Sequence, residues 1–301
     1  HDSERGGGVV TVGEQQGLDR VAILVDRDHD EAITPLLGVG EQLRAAFGCE
    51  LVAVHVAPSI AVLRGGLTGW EVDTEDPERP VRRWLAEATS HVDLERVVLS
   101  GADSAAVIGQ WAGEADVDLL LAASASTAIQ RAALGSFVGR LAQTSPVPIL
   151  VLRAGGGGLS QIPQSGLDVV CCVSPVDPSS RVVVEARRIV DSLPGAQLTF
   201  VHAVPARIPI DRRLVRRLLP PSAKALEGSR RDMRDLASTQ RGSRGVVLIG
   251  GSRRTTDWIK AEAADLVVAG AGAPKESRHV GRFAQALCLH AGRPVLLVPE
   301  S

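Results

Sequence analysis

The sequence predicts an α/β protein built from two doubly wound parallel-sheet domains in tandem. Three observations predict this fold: an internal repeat, short continuous apolar runs, and helical patterns between those runs. Continuous apolar runs are typical of parallel strands that are buried on both faces of a sheet. Alternating strands and helices then predict right-handed crossovers, with helices on both sides.

The internal repeat covers most of the chain. Four segments of the first half recur in the second half, in the same order and at a nearly constant offset. Agreement at four ordered places indicates a duplication of one domain. The matching pairs are Val21–Val25 with Val169–Val173, Glu50–His55 with Gln197–His202, Asp118–Ala123 with Asp265–Gly270, and Pro148–Val151 with Pro294–Leu297.

The apolar runs predict five strands in each half. The predicted strands of the first half are 20–25, 51–56, 96–99, 118–122 and 148–152, and its predicted helices are 31–47, 78–91, 103–115 and 136–144. The predicted strands of the second half are 168–173, 197–203, 245–249, 265–269 and 294–298.

A glycine run separates the halves and sets the predicted domain boundaries. Residues 155–158 are consecutive glycines, which hold neither a helix nor a strand at low cost. We therefore expect a first domain at 1–152, a linker at 153–166 and a second domain at 167–301.

Composition excludes several classes of function. The net charge of −2 favours neither nucleic acid nor acidic substrates, and the few aromatic residues disfavour base stacking. The cysteines have no metal-ligand spacing, so neither zinc nor a disulfide framework is expected. No apolar run is long enough to span a bilayer, and a cytoplasmic protein is predicted.

Ligands of doubly wound sheets bind beyond the carboxyl ends of the strands, so the strand ends are the candidate site. Asp26 follows the first strand and is interpreted either as an acceptor for a ribose hydroxyl or as a helix-capping residue. His55 and His202 end the second strand of each half within apolar runs. Both are predicted to be structural rather than catalytic.

Loops of small residues follow the fourth strand of each half. In the first half the loop at 122–127 precedes Gly135 and Ser136, and in the second half the loop at 270–273 precedes Gly281 and Arg282. Such loops before a helix bind phosphate through free backbone N–H groups, but they also occur as compact turns. Both interpretations remain open from the sequence.

Together these features resemble the universal stress proteins, in two copies over nearly the whole chain. The resemblance rests on Asp26, the second strand with its histidine, the helix start at 101–105, the strand at Asp118, Gly135 with Ser136, and the last strand at 146–151. It implies a flavodoxin-like fold, a five-stranded parallel sheet in each domain. It also implies that the two domains pack on each other about an approximate two-fold axis, which makes the single chain a pseudo-dimer. A homodimer of the whole chain is a further expectation.

The nucleotide motif of that family is changed here. Its members carry Gly-x-x-Gly, a spacer, and Gly-Ser or Gly-Thr, whereas Ala123 and Ser126 stand at the two loop glycines of the first half. A shift by one residue places Ala122 and Ala125 there instead, and both glycines are lost in either alignment. The second half keeps Gly270, and Arg282 replaces the hydroxyl residue. The resemblance therefore implies weak binding of ATP or AMP, mainly in the first domain, without a metal or a catalytic residue. The implied nucleotide-binding residues are Asp26, Val56, Ala123, Ser126, Gly135, Ser136, Gly270, Gly281 and Arg282.

The predicted function is non-catalytic: stress-response regulation by sensing or scaffolding, with a protein partner. An alternative is the cytoplasmic regulatory part of a cation/proton antiporter or related carrier, which resembles this chain in having tandem domains with degenerate nucleotide motifs. A nucleotide-hydrolysing enzyme is the other alternative, but the chain lacks Gly-Lys-Ser/Thr and Gly-x-Ser-x-Gly motifs.

The segment 207–234 is rich in arginine. Its part at 211–219 is amphipathic, with Leu214 and Leu218 on one side and Arg213 and Arg217 more exposed. This pattern predicts either an ordinary solvated helix face or a surface that docks to an acidic partner or to anionic lipids.

Overall fold

The computed structural model describes residues 17–57, 75–124, 137–153, 166–174, 176–204, 221–272 and 282–299, with Ser124 and Arg282 described by their backbone alone. Most of the predicted linker and the amphipathic part of the arginine-rich segment therefore lie outside the described residues. Within the described residues, no helix is long and apolar enough to cross a membrane.

Strands and helices alternate in the first half, as its apolar runs predict. The strands are β1 Arg20–Leu24, β2 Glu50–Ala57, β3 Glu95–Ser100, β4 Leu119–Ser124 and β5 Ile149–Arg153. The helices are a 3₁₀ turn Arg27–His29, α1 Asp30–Phe47, α2 Arg79–Ala88, α3 Ser104–Glu114 and α4 at 137–144. Each predicted strand of this half is present.

The second half repeats that order of elements. Its strands are β6 Asp168–Cys172, β7 Gln197–Val204, β8 Arg244–Ile249, β9 Leu266–Gly270 and β10 Val295–Val298. Its helices are α5 Arg181–Ser192, α6 Ala223–Ser238, α7 Ser252–Ala261 and α8 Arg282–His290.

The strands form one ten-stranded sheet in the order β3-β2-β1-β4-β5-β10-β9-β6-β7-β8. Neighbouring strands are parallel within each half, and the predicted α/β fold with a mainly parallel sheet is confirmed. Strands β5 and β10 pair antiparallel, with Leu150 opposite Leu296, and this pair joins the two halves. That the halves are two domains of one family packed as a pseudo-dimer stays a prediction.

The sheet is buried on both faces. Successive residues of a strand point to opposite faces, so Val21 and Ile23 pack into one core while Ala22 and Leu24 pack into the other. The first core is covered by α1, α2, α5 and α6, and the second by α3, α4, α7 and α8. Each core contains side chains from both halves.

A carboxylate before the fourth strand of each half fixes the first strand beside it. Asp118 accepts hydrogen bonds through Oδ2 from the backbone N–H groups of Asp19 at 2.7 Å and Arg20 at 2.9 Å. In the second half, Asp265 Oδ2 accepts from the N–H of Asp168 at 2.9 Å. These bonds set the register of the central strands, whose carboxyl ends form the candidate site.

Candidate functional site

A cavity of about 320 Å³ lies at the carboxyl ends of β1, β2 and β4. The chain passes from β1 to β2 on one side of β1, while β4 lies on the other, so the strand order switches here. Doubly wound sheets bind ligands at such a point. The wall is mainly apolar, and its polar side chains come from Asp26, His29, His55 and Ser104.

Asp26 is held by its own local turn. Its Oδ1 accepts a hydrogen bond from the N–H of Asp28 at 3.1 Å, which caps the 3₁₀ turn. Its Oδ2 lies 2.9 Å from His29 Nδ1. The structure therefore shows the capping role that the sequence left as one of two interpretations, and contact with a ribose stays a prediction.

His29 was not predicted from the sequence to belong to the site. It follows Asp26 by three residues, and residues at that spacing lie above one another in a 3₁₀ turn. Its side chain is 16% exposed, and Nε2 is buried without a hydrogen-bond partner in the described structure. The Asp-x-x-His spacing before a helix is the signal that could have identified it.

His55 and His202 occupy equivalent structural positions. His55 Nδ1 lies 2.8 Å from the carbonyl oxygen of Val25, and His202 Nδ1 lies 2.9 Å from that of Val173. Each ring thus binds the backbone just after the first strand of its half. Burial lowers the pKa of His55, so the neutral ring, with Nδ1–H donating to Val25, is favoured.

A second cavity of about 710 Å³ lies at the equivalent place in the second half, at the ends of β6, β7, β8 and β9. Its wall is richer in polar groups than the first, with Ser174, Asp177, Ser180 and Arg181 on the β6–α5 side. Gly250, Gly251 and Ser252 line it where β8 leads into α7. The sequence prediction had placed the more favourable site in the first half.

Two charged residues of the second cavity have defined partners. The N–H and hydroxyl of Ser179 both donate to Asp177 Oδ1, at 2.9 Å and 2.8 Å, and they lower the pKa of that carboxyl. Arg181 donates through Nη2 to the carbonyl oxygen of Pro146 at 2.9 Å. Because Pro146 belongs to the first half, Arg181 connects the second cavity to the other half.

The predicted site residues divide between the cavities and the undescribed segments. Asp26, Val56 and Ala123 line the first cavity, and Gly270 lines the second. Ser126, Gly135, Ser136 and Gly281 lie outside the described residues, and the side chain of Arg282 is not described. Whether any of these residues binds a nucleotide stays a prediction.

The described polar groups form neither a metal cluster nor a complete catalytic set. No group of three or more His, Cys, Asp or Glu residues in the described part of the chain could hold a metal ion. Asp26 and His29 resemble an orienting carboxylate and a base, and Ser104 shares their cavity. Ser104 does not donate to His29 Nε2, however, because that nitrogen has no partner.

The described residues thus form a doubly wound α/β sheet with a cavity at its switch point, which is the place where ligand-binding proteins of this fold hold their ligands. Comparison with known families gives a narrower result for the first half: residues 18–153 match the model of the universal stress protein family. A search of curated proteins found no match to the sequence.

The similarity of this chain to solved structures extends over both of its halves. A protein of unknown function from Pseudomonas aeruginosa PAO1 is 12% identical, with a TM-score of 0.60, over 95% of this chain and 94% of that one. A universal stress protein from Archaeoglobus fulgidus is 13% identical, with a TM-score of 0.55, over 95% of this chain and 97% of that one. At these identities the similarity shows the fold alone.

Proposed function

We propose that this protein is a non-catalytic regulator that senses an adenine-containing ligand in the cavity of its first half. The cavity at the β1–β4 switch point is the observation that carries the proposal, because it lies where doubly wound sheets bind ligands and within the segment that matches the universal stress protein family. Its volume of about 320 Å³ is in the range of small-molecule pockets.

We further propose two domains, 1–152 and 167–301, joined by a linker at 153–166 and packed as a pseudo-dimer. The repeated order of elements and the antiparallel β5–β10 pair support this arrangement, because that pair relates the halves by an approximate two-fold rotation. Asp26, Val56 and Ala123 are the described residues expected to contact the ligand. Cytoplasmic location and the alternative role in an antiporter stay predictions.

The proposed mechanism is a shift between conformations of the joined halves. A ligand regulates such a protein only if it binds one conformation more tightly than the other. The sheet and both cores are continuous across the β5–β10 junction. A ligand that restricts the strand ends of the first half would therefore also restrict core side chains that pack against the second half. A partner that binds only one of the conformations would then be bound to an extent that depends on the ligand concentration.

Calorimetric titration of the full chain with ATP, AMP and cyclic AMP tests the proposal, together with the variants Asp26→Ala and Asp177→Ala. We expect a micromolar Kd and a single site, lost in Asp26→Ala and kept in Asp177→Ala, which alters the equivalent region of the second cavity. Thermal unfolding of each variant checks that it is folded. The absence of heat and of thermal stabilisation at millimolar ligand would refute the proposal.

A further inference from the structure

The first cavity contains one polar atom that the protein leaves unsatisfied. His29 lines this cavity, and its Nε2 is buried without a partner among the described residues. Buried polar atoms are almost always paired in folded proteins, and an unpaired one calls for an explanation such as a ligand. The other ring nitrogen, Nδ1, is already used by Asp26 at 2.9 Å.

We propose that His29 Nε2 is the polar anchor of the ligand in the first cavity, and that the cavity recognises the uncharged base or nucleoside rather than its phosphates. This inference rests on the proposed function and specifies its ligand. It assigns to His29 a role in binding that neither the family match nor the sequence motifs supply.

The hydrogen-bond network determines what Nε2 can bind. The tautomer that donates from Nδ1 to Asp26 has its free lone pair at Nε2, and we assign that tautomer to His29, which makes Nε2 an acceptor. An acceptor pairs with a donor such as an aromatic amino group or a sugar hydroxyl. Asp26 also accepts from the Asp28 N–H, and each of its two oxygens keeps a further lone pair for a donor of the ligand.

The charges on the described wall argue against a phosphate in this cavity. Asp26 is a carboxylate, and the described lining residues include no Lys or Arg. A phosphate placed there would meet a like charge without a countercharge. The remaining wall is largely aliphatic, with Phe137 as its aromatic member, and suits a flat uncharged ring.

The second cavity provides the contrast within the same chain. Arg181 lines it, together with Gly250 and Gly251 at the start of α7. A guanidinium and the free N–H groups of a helix start both favour an anion. Asp177 also lines the second cavity, so its described wall carries a guanidinium as well as a carboxylate. The described wall of the first cavity carries the Asp26 carboxylate without a guanidinium or ammonium group, so the two cavities differ in their charged groups.

The test compares adenosine with ATP on the full chain by calorimetry. We expect adenosine to bind at least as tightly as ATP, and His29→Phe to weaken adenosine binding by about 3- to 10-fold through loss of one hydrogen bond. His29→Gln, which keeps an acceptor, should retain part of the affinity. His91→Gln alters an exposed histidine of the same half and should change nothing.

A second readout separates anchoring from mere structural support. The ¹⁵N chemical shift of His29 Nε2 should move when adenosine is added, because the ligand donates to that atom. Tenfold tighter binding of ATP than of adenosine, unchanged adenosine affinity in His29→Phe, or an unmoved shift would overturn the inference and leave the proposed function standing. If adenosine, ATP, AMP and cyclic AMP all fail to bind, both the inference and the proposed function fail.

Discussion

The two carboxylates that precede β4 and β9 allow a quantitative test of how the central strands are fixed. Asp118 accepts from two backbone N–H groups, one exposed at Asp19 and one partly buried at Arg20, whereas Asp265 accepts from the exposed N–H of Asp168. An exposed N–H is rehydrated when its acceptor is removed, but a partly buried one is left unsatisfied. We therefore expect Asp118→Ala to reduce the free energy of unfolding by about 2–3 kcal/mol and Asp265→Ala by about 0.5–1 kcal/mol.

Urea unfolding followed by tryptophan fluorescence and by far-UV circular dichroism measures both losses. Coincident transitions from the two probes would justify a single free energy for the joined sheet. Asp118→Asn is the matched control, because it keeps one neutral acceptor and should lose about half as much as Asp118→Ala. Equal losses in the two alanine variants, or a larger loss for Asp265→Ala, would refute the reasoning.

Three further predictions concern packing, reactivity and pH. Gly245→Ala should lower the unfolding free energy by about 1–3 kcal/mol, because its Cβ would lie 2.6 Å from the carbonyl oxygen of Met233. Gly228→Ala, with open space around the added methyl, should instead raise it by up to about 1 kcal/mol; a loss there would contradict this account. Burial raises the pKa of the Cys172 thiol to about 12, so iodoacetamide at pH 8 should label this thiol only after the protein unfolds. Mass spectrometry measures the labelling, and rapid labelling of the native protein would show that Cys172 is not buried. Folding lowers the pKa of His55, so this histidine binds a proton more readily in the unfolded chain. The free energy of unfolding should therefore fall as the pH drops below about 6.5. Urea titrations at several pH values measure this dependence, and His55→Asn should reduce it.

The sheet was largely predictable because its strands are continuous apolar runs. Val21–Val25 and Leu119–Leu121 are buried, and such runs cannot be placed at a solvated surface. The helix start at Asp103 was also predictable, since its carboxylate caps the N–H groups of Ala105 and Ala106. These features depend on neighbours in the sequence or on burial alone.

The candidate site was less predictable because it depends on the orientation of side chains around turns. The sequence identified Asp26, but the 3₁₀ turn that places His29 beneath it follows from local backbone geometry. In the second half, the sequence pointed to the loop after β9. It did not identify Arg181 or the Gly250–Ser252 segment after β8 as part of the cavity wall. Two consecutive glycines before a helical pattern were the available signal for that part of the wall.

The β5–β10 pair has a consequence for how the two cavities can change in sequence. In a dimer of identical chains every substitution appears twice, so the two sites remain alike. Here the strands that meet at the junction come from different parts of one chain, and each half can acquire substitutions alone. The cavities of about 320 Å³ and 710 Å³ already differ in size and in charge. Two sites of a symmetric assembly of one short chain could not differ from each other in this way.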